Sequence, residues 1–370
     1  MTSPEPITDY IYSKASRARI PLSGTFELSP LCNFNCKMCY VKKTEAEVAA
    51  SGRKPLDLDF WLDLARRASK GGMLFLLLTG GEPLLWPDFW TLYGELTKMG
   101  IFVSVNTNAS LIGEEEIARF AANPPRRVNV TLYGASDGAY ERLCGRKGMF
   151  SRVDGAIKGL RSAGVTVKIN GSFTPENVCD MSAITAYAAE NNIPLQTAFY
   201  MFPPVRRDEA STGQNACRFT PEEAAAHRLE FFRLQNGEEK YRAYLESIRS
   251  GSIPPPGLDE SCIDPLDGHI RCRAGSASFW VTWEGMLTPC GLMPKPAVDL
   301  CTTEFSKAWA ELSAKSAALA LSGTCTACPN QRICHACAAM AYAETGSFTG
   351  IPAYLCQMAE EMRRIAAKRQ

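Results

Sequence analysis

Three cysteines near the start of the chain have a spacing that suits an iron-sulfur cluster. Cys32, Cys36 and Cys39 form the pattern C-x3-C-x2-C directly after a strand-like run over 25–28. Three thiolates in one short loop can hold three irons of a four-iron cluster and leave the fourth iron without a protein ligand, open to chemistry. A zinc site or a set of buried thiols is the alternative. Structural zinc needs a fourth ligand nearby, and the first 200 residues contain no histidine, which favours the cluster.

A glycine-rich turn follows the next predicted strand. The apolar run over 73–78 ends in Thr79-Gly80-Gly81-Glu82-Pro83. Glycines let the backbone pass close to a ligand, and the Glu82 carboxylate can accept hydrogen bonds from a ligand ammonium group. Such a turn is common by itself, but its position one β/α unit after the three cysteines indicates that it belongs to the same site.

The composition excludes several functional classes. The 370 residues carry 40 basic and 39 acidic side chains without a block of one sign, so the charge pattern of a nucleic-acid-binding protein is missing. There is no signal peptide at the start and no apolar run of the ~18 residues that a membrane span needs. The sequence therefore predicts a cytoplasmic protein with neither nucleic acid nor membrane as a partner. In that compartment, 15 cysteines indicate metal or redox chemistry instead of a disulfide framework.

The hydrophobic pattern that must position these motifs alternates short apolar runs with amphipathic ones. Predicted strands cover 25–28, 73–78, 102–106, 127–132, 165–170 and 195–200, and predicted helices cover 57–69, 87–98, 114–122, 150–163 and 178–190. Six β/α repeats are too few for a closed eight-stranded barrel, so we predict an α/β fold with a partial (β/α)6 TIM-like barrel. Chemistry in such folds sits at the carboxyl ends of the strands, where both motifs fall.

The remaining chain divides into a short N-terminal segment and a cysteine-rich C-terminal unit. We predict a loop over 203–219, helices over 221–234 and 239–249, and a linker at Pro254-Pro255-Pro256-Gly257. The predicted boundaries are 1–24, 25–252 for the barrel with its linking helices, and 253–370. The last unit carries Cys325-x2-Cys328-x5-Cys334-x2-Cys337, as well as Cys272, Cys290 and Cys356. By themselves these cysteines are also compatible with zinc knuckles that include His335 as a ligand.

The first two motifs together resemble the radical S-adenosylmethionine (radical SAM) superfamily. The resemblance implies that Cys32, Cys36 and Cys39 hold a [4Fe-4S] cluster whose open iron binds the amino and carboxylate groups of S-adenosylmethionine, and that Gly80–Pro83 binds the methionine amino group. It further implies polar contacts to S-adenosylmethionine at the ends of later strands, with Met38 and Tyr40 near the adenine. The polar candidates are Ser104, Asn106, Asn108, Thr131 and Asn170. For each, the alternative is a polar residue that satisfies its own turn.

The C-terminal cysteines resemble the SPASM extension of peptide-modifying radical SAM enzymes, which holds two auxiliary [4Fe-4S] clusters. By this resemblance Cys272, Cys290 and Cys337 bind the first auxiliary cluster, and Cys325, Cys328, Cys334 and Cys356 bind the second. Two departures stand out: the last spacing of the central group is x2 where x3 is usual, and Ala277 stands about where some relatives carry a fourth ligand of the first auxiliary cluster. We expect either Cys262 or a substrate thiolate to complete that cluster, and favour the substrate.

The resemblance implies a peptide maturase in which a 5'-deoxyadenosyl radical abstracts hydrogen from a precursor peptide, ending in a thioether crosslink. Alternatives are an anaerobic sulfatase-maturating enzyme, a carbon-carbon crosslinking or epimerising enzyme, one that acts on a sugar or cofactor precursor, and a non-catalytic iron-sulfur or zinc protein. Sulfatase maturases carry an aspartate after the second SPASM cysteine, where this chain has Gly291. Expected partners are a flavodoxin or ferredoxin as reductant and, because about 25 residues precede the first strand, a separate leader-binding protein, unless the barrel or the SPASM surface recognises the leader.

Overall fold

One twisted sheet runs through both halves of the chain. A computed structural model describes residues 6–252, 269–270 and 272–368. Its strands are β1 Ser23–Glu27, β2 Phe75–Thr79, β3 Phe102–Thr107, β4 Arg127–Thr131, β5 Val167–Ser172, β6 Leu195–Ala198, β7 Ser278–Val281, β8 Met286–Thr288 and β9 Val298–Asp299. The spatial order is β6-β5-β4-β3-β2-β1-β7-β8-β9. Strands β1 to β6 are parallel, which confirms the predicted partial barrel.

The C-terminal unit extends this sheet at its β1 edge. Strand β7 pairs with β1 in parallel, with Ser23 opposite Ser278 and Phe26 opposite Val281. Strands β7 and β8 form an antiparallel hairpin between Cys272 and Cys290. The sheet is thus wider than the six-stranded barrel that was predicted, because the edge of β1 is covered by main chain from the far end of the sequence.

The described ranges contain 14 helices. They are α1 Pro6–Ala18, α2 Glu45–Ala50, α3 Leu58–Lys70, α4 Phe89–Lys98, α5 Glu114–Ala122, α6 Asp137–Cys144, α7 Met149–Ser162, α8 Met181–Glu190, α9 Pro221–Ser250, α10 Phe305–Ala317, α11 Gly323–Thr326, α12 Gln331–Cys334, α13 Ala338–Thr345 and α14 Ala353–Lys368. Successive residues of β1 point to opposite faces of the sheet. On the outer face, Phe26 packs against Trp61 of α3, with ring centroids 4.9 Å apart. Glu27 points to the inner face. The inner face is the one that carries polar side chains.

The helices α2 and α10 to α14 were not predicted, and three further helical features also differ from the prediction. Helix α1 lies in the segment predicted only as N-terminal chain, and its Tyr12 stacks on Phe75 at the start of β2, with ring centroids 5.7 Å apart. It therefore packs against the amino end of the sheet, opposite the cysteine loop. The two helices predicted over 221–249 are the halves of α9, which Gly237 interrupts with φ 81° and ψ 170°. Helix α6 was not predicted and, as described below, supports the cysteine loop.

The predicted boundary between the two units stays a prediction. The linker Pro254–Gly257 and the candidate ligand Cys262 lie outside the described residues. Among the helices of the described ranges, none has both the length and the apolar character that a membrane span requires.

Candidate active site

The loop with the first three cysteines is held on the end of α6. Backbone N–H groups of Asn35 and Lys37 donate to the carbonyls of Cys144 and Leu143, at 2.9 and 3.1 Å. Phe34 anchors the loop from within, since it is 1% exposed and packs near the rings of the half-buried Tyr133 and the buried Tyr140. The positions of the three thiols therefore depend on an element that lies over 100 residues later in the sequence.

The sulfurs have the surroundings of thiolate ligands. The backbone N–H of Phe34 donates to Sγ of Cys32 at 3.4 Å, and that of Lys42 donates to Sγ of Cys39 at 3.3 Å. Burial raises the pKa of Cys32 to about 12, and it also raises the pKa of Cys39. A bare thiolate is unfavourable in such a site, whereas bound iron would hold it deprotonated. The donor set therefore fits a cluster with three thiolate ligands.

A site for a single metal ion would require closer grouping of ligands. Within the described ranges, no three histidine, cysteine, aspartate or glutamate side chains stand close enough together to share one ion. In a four-iron cluster each thiolate binds a different iron, so the ligands do not need to converge on one point.

The glycine-rich turn after β2 packs directly against the cysteine loop. The N–H of Gly81 donates to Ser29 O at 2.7 Å, and that of Glu82 donates to Leu31 O at 2.9 Å. A Cβ at Gly81 would lie 2.3 Å from Leu31 O, and one at Gly80 would lie 2.5 Å from Ser29 O. Both glycines are thus needed because the turn touches the residues just before Cys32, whether or not a ligand is bound.

Glu82 joins this turn to the end of β3. Its carboxylate is fully buried and accepts hydrogen bonds from Thr107 Oγ1 at 2.8 Å, from the Asn108 N–H at 2.8 Å and from the Leu84 N–H at 3.2 Å. Burial raises the pKa of Glu82 to about 7. The carboxylate therefore positions the turn; the predicted contact of 80–83 with the amino group of S-adenosylmethionine stays a prediction.

Asn108 contacts the cysteine loop. Its Nδ2 donates to Asn33 Oδ1 at 2.9 Å and lies 3.8 Å from Sγ of Cys32. Its Oδ1 accepts from the hydroxyl of Ser110, whose oxygen accepts from Asn33 Nδ2 at 2.8 Å. Of the predicted polar contacts, Asn108 is thus the one that the structure places beside the three cysteines.

The other predicted polar residues lie on neighbouring strands. Asn106 of β3 pairs in register with Asn129 of β4, and Thr131 of β4 pairs with Asn170 of β5. Asn129 Nδ2 donates to Asn106 Oδ1 at 2.8 Å, while the buried Oδ1 of Asn129 has no hydrogen-bond partner among the described residues. A buried polar atom without a partner is costly, so this face is suited to receive a polar ligand.

The remaining predicted contacts flank the two motifs. Ser104 is buried in β3, and Pro83 is buried at the start of a 3-10 turn that ends at Leu85. Met38 is half-buried within the cysteine loop, and Tyr40 lies under the guanidinium of Arg206. Their contacts with S-adenosylmethionine stay predictions.

The charges of other C-terminal cysteines contribute to the raised pKa values of Cys290 and Cys334. The pKa of Cys290 is raised to about 12, mainly by burial and in part by the charges of Cys337 and Cys272. The pKa of Cys334 is raised by burial to about 11, with further contributions from the charges of Cys356, Cys325 and Cys328. Each group therefore lies within mutual electrostatic influence; iron ligation by these groups stays a prediction.

Ala277, which stands where some relatives carry a further ligand, packs elsewhere. It is fully buried in a small apolar cluster with Tyr12, Ala15 and Leu22, beneath the barrel.

Cys144, which is not among the expected cluster ligands, is fully buried at the end of α6. Its side chain hydrogen-bonds to Cys36, which lowers the pKa of Cys36.

A buried ion pair that the sequence did not predict crosses the top of the barrel. Both carboxylate oxygens of Glu27 accept from Arg206 Nη2, at 2.8 and 2.9 Å, and Oε2 also accepts from Trp280 Nε1 at 3.0 Å. Arg206 Nη1 donates to Gly291 O at 2.6 Å. The only sequence signal was Glu27 itself, an acidic residue between the apolar residues Phe26 and Leu28.

Comparisons with known proteins agree with this geometry. Residues 26–188 match the sequence model of the radical SAM superfamily. An AdoMet-dependent heme synthase of Methanosarcina barkeri is 26% identical over 337 residues, 87% of this chain and 93% of that protein. The mycofactocin maturase of Mycolicibacterium smegmatis is 28% identical over 200 residues, about half of each protein: 53% of this chain and 49% of the maturase. The solved structure of Streptococcus suis SuiB bound to its precursor peptide SuiA covers 94% of this chain and 79% of its own, with 18% identity and a TM-score of 0.67.

Proposed function

We propose that the protein, whose residues 26–188 match the radical SAM superfamily, is a peptide maturase that uses a 5'-deoxyadenosyl radical to crosslink a ribosomally made precursor. The chain would hold one [4Fe-4S] cluster through Cys32, Cys36 and Cys39, and two auxiliary clusters through the C-terminal cysteine groups. When bound, the first cluster supplies the electron that cleaves S-adenosylmethionine into methionine and the radical, and the auxiliary clusters supply an acceptor for surplus electrons.

The residues of the chain orient the reactants and exclude water. Asn108 and Asn33 hold the cysteine loop, and Glu82 holds the glycine-rich turn against it. The polar inner face around Asn106 and Asn129 is suited to bind S-adenosylmethionine. Fixing the carbon to be attacked close to the radical is the protein's main contribution to such a reaction.

The observation that best supports a peptide substrate is the fold likeness to SuiB, which was solved with its precursor peptide and which this chain matches over 94% of its length. The likeness therefore includes the cysteine-rich unit. The mycofactocin maturase adds a relative whose name also denotes maturation. We propose a thioether as the crosslink because an auxiliary iron with three protein thiolates leaves a position for a substrate thiolate.

The structure gives a reason to rank formylglycine formation lower. A Cβ at Gly291 would lie 2.8 Å from three atoms of the Trp280 indole. The aspartate that sulfatase maturases carry at this point therefore has no room here.

A second candidate is a reaction on a haem precursor. The haem synthase relative matches 87% of this chain, more than the 53% that the maturase matches. A tetrapyrrole would use the same radical but no substrate thiolate.

Anaerobic reconstitution with iron and sulfide, followed by reaction with S-adenosylmethionine and a reductant, distinguishes these functions. We would supply, separately, the small peptides encoded beside the gene and a tetrapyrrole precursor of haem. A maturase stimulates 5'-deoxyadenosine release with a peptide, and a thioether lowers the peptide mass by two hydrogens, with a cysteine no longer open to alkylation. Replacement of a cysteine thiol by an oxo group would favour formylglycine formation, and stimulation by the tetrapyrrole alone would refute the maturase.

The reductant and leader recognition are proposed with the function. An acidic one-electron carrier such as a flavodoxin or ferredoxin would reduce the first cluster, and a separate protein would present the leader peptide. Reduction by purified flavodoxin and binding of the leader peptide without a second protein are the corresponding measurements.

A further inference from the structure

The segment over 199–219, here called the strap, joins β6 to α9 and is fixed by two buried ion pairs. Arg206 pairs with Glu27 of β1, and Arg218 pairs with Glu344 of α13 at 2.6 Å. The Glu27 side chain is 0% exposed and that of Arg206 is 11% exposed. A buried pair contributes little net stability in general, because desolvation offsets the attraction, so its presence calls for another explanation.

Arg206 contacts both cysteine loops at once. Its Nη1 donates to the carbonyl of Gly291, the residue after Cys290, at 2.6 Å. Its guanidinium also lies 5.8 Å from the ring centroid of Tyr40, the residue after Cys39. One side chain thus links the first cysteine loop to a loop of the C-terminal unit.

Trp280 packs beside both partners of Arg206, Glu27 and Gly291. Trp280 Nε1 donates to the same Glu27 carboxylate, and its indole occupies the space where a side chain at position 291 would lie. Two nitrogens of the guanidinium donate in different directions, Nη2 to Glu27 and Nη1 to Gly291 O, which the single Nζ of a lysine cannot reproduce. The linkage therefore requires arginine at 206 and glycine at 291.

We propose that Arg206 is a positioning residue that fixes the cysteine loop ending at Cys39 relative to the loop of Cys290, and with them the separation of the two metal centres. This inference rests on the proposed function, since it takes these cysteines as cluster ligands. A substrate between the centres must meet the radical on one side and the auxiliary iron on the other. A displacement of about 1 Å in such a geometry can lower a rate by about 100-fold.

The test compares three full-length, reconstituted variants with the wild type. Arg206→Lys keeps a charge opposite Glu27 but loses the fork, and the double variant Arg206→Gln/Glu27→Gln removes both charges, so that no unpaired carboxylate is buried if the single variant fails to fold. Arg207→Gln is the matched control, because it removes the adjacent arginine of the strap, whose exposed partner Glu47 lies 3.3 Å away.

Pulsed dipolar EPR of the reduced protein measures the distance between the first cluster and the auxiliary clusters, and S-adenosylmethionine alone serves as the probe of the first cluster. We expect both Arg206 variants to keep the wild-type iron content and to release 5'-deoxyadenosine, but to show a broadened distance distribution and altered g-values of the auxiliary signal. Arg207→Gln should match the wild type.

Unchanged distances and g-values in both Arg206 variants would overturn the inference, as would equal changes in Arg207→Gln. A wild-type protein that does not cleave S-adenosylmethionine would instead refute the proposed function, and this inference with it.

Discussion

Gly81 lies so close to the backbone of Leu31 that the addition of a single methyl group at Gly81 should strongly affect the protein. In Gly81→Ala, the new Cβ would lie 2.3 Å from Leu31 O, 2.6 Å from Leu31 C and 2.8 Å from Pro30 O. All three atoms belong to the backbone, so no side chain can rotate away. Overpacking costs about 1–3 kcal/mol in general, and we expect about 3 kcal/mol here because the cysteine loop itself must move.

Gly155→Ala in α7 is the matched control. A Cβ there meets nothing within 4 Å, so the same methyl group should stabilise the protein by about 0.5–1 kcal/mol through helix propensity.

Urea unfolding of the apoprotein and iron analysis after reconstitution measure both consequences. Gly81→Ala should unfold at lower urea, bind about eight irons where the wild type binds about twelve, and release no 5'-deoxyadenosine. Wild-type stability together with a full iron content in Gly81→Ala would refute the reasoning that this turn positions the loop.

Three further predictions concern single side chains. Glu82→Gln should destabilise the protein by about 1–3 kcal/mol in urea unfolding and reduce iron uptake, because the glutamine NH2 would face a donor, either the Asn108 N–H or one of the groups that donate to the other oxygen; unchanged values would contradict this. Gly291→Ala should cost about 1–3 kcal/mol, and combination with Trp280→Phe should recover part of that cost; a fully additive double mutant would contradict the clash. Burial lowers the pKa of His227, so the folded protein binds its proton less tightly than the unfolded chain, and stability should fall as the pH drops below about 6.5. His227→Gln should flatten that part of the urea-unfolding pH profile, and an unchanged profile would contradict it.

The sequence was sufficient for the six-stranded part of the fold because each strand is a local apolar run closed by a turn. The strand predicted over 102–106 is Phe102–Thr107, and the helix predicted over 114–122 has those bounds. The grouping of the C-terminal cysteines into two sets of ligands stays a prediction of the resemblance.

Features that depend on distant contacts could not be predicted. Strand β7 has four residues, and its place beside β1 follows from a pairing between residues more than 250 positions apart. Glu27 and Arg206 are 179 positions apart, and an arginine in a loop gives no local signal of burial. The turn at Gly80–Glu82 was singled out from the sequence as a ligand contact, whereas its packing against Ser29 and Leu31 depends on how two loops meet.

Release of 5'-deoxyadenosine from S-adenosylmethionine by the reduced, reconstituted protein tests the central claim most directly. The wild type should release it, and a Cys32→Ala/Cys36→Ala/Cys39→Ala variant should release none while it keeps about eight irons in its C-terminal unit. Continued release by that variant would contradict the assignment of the first three cysteines. A wild type that binds zinc and leaves S-adenosylmethionine intact would contradict the account as a whole.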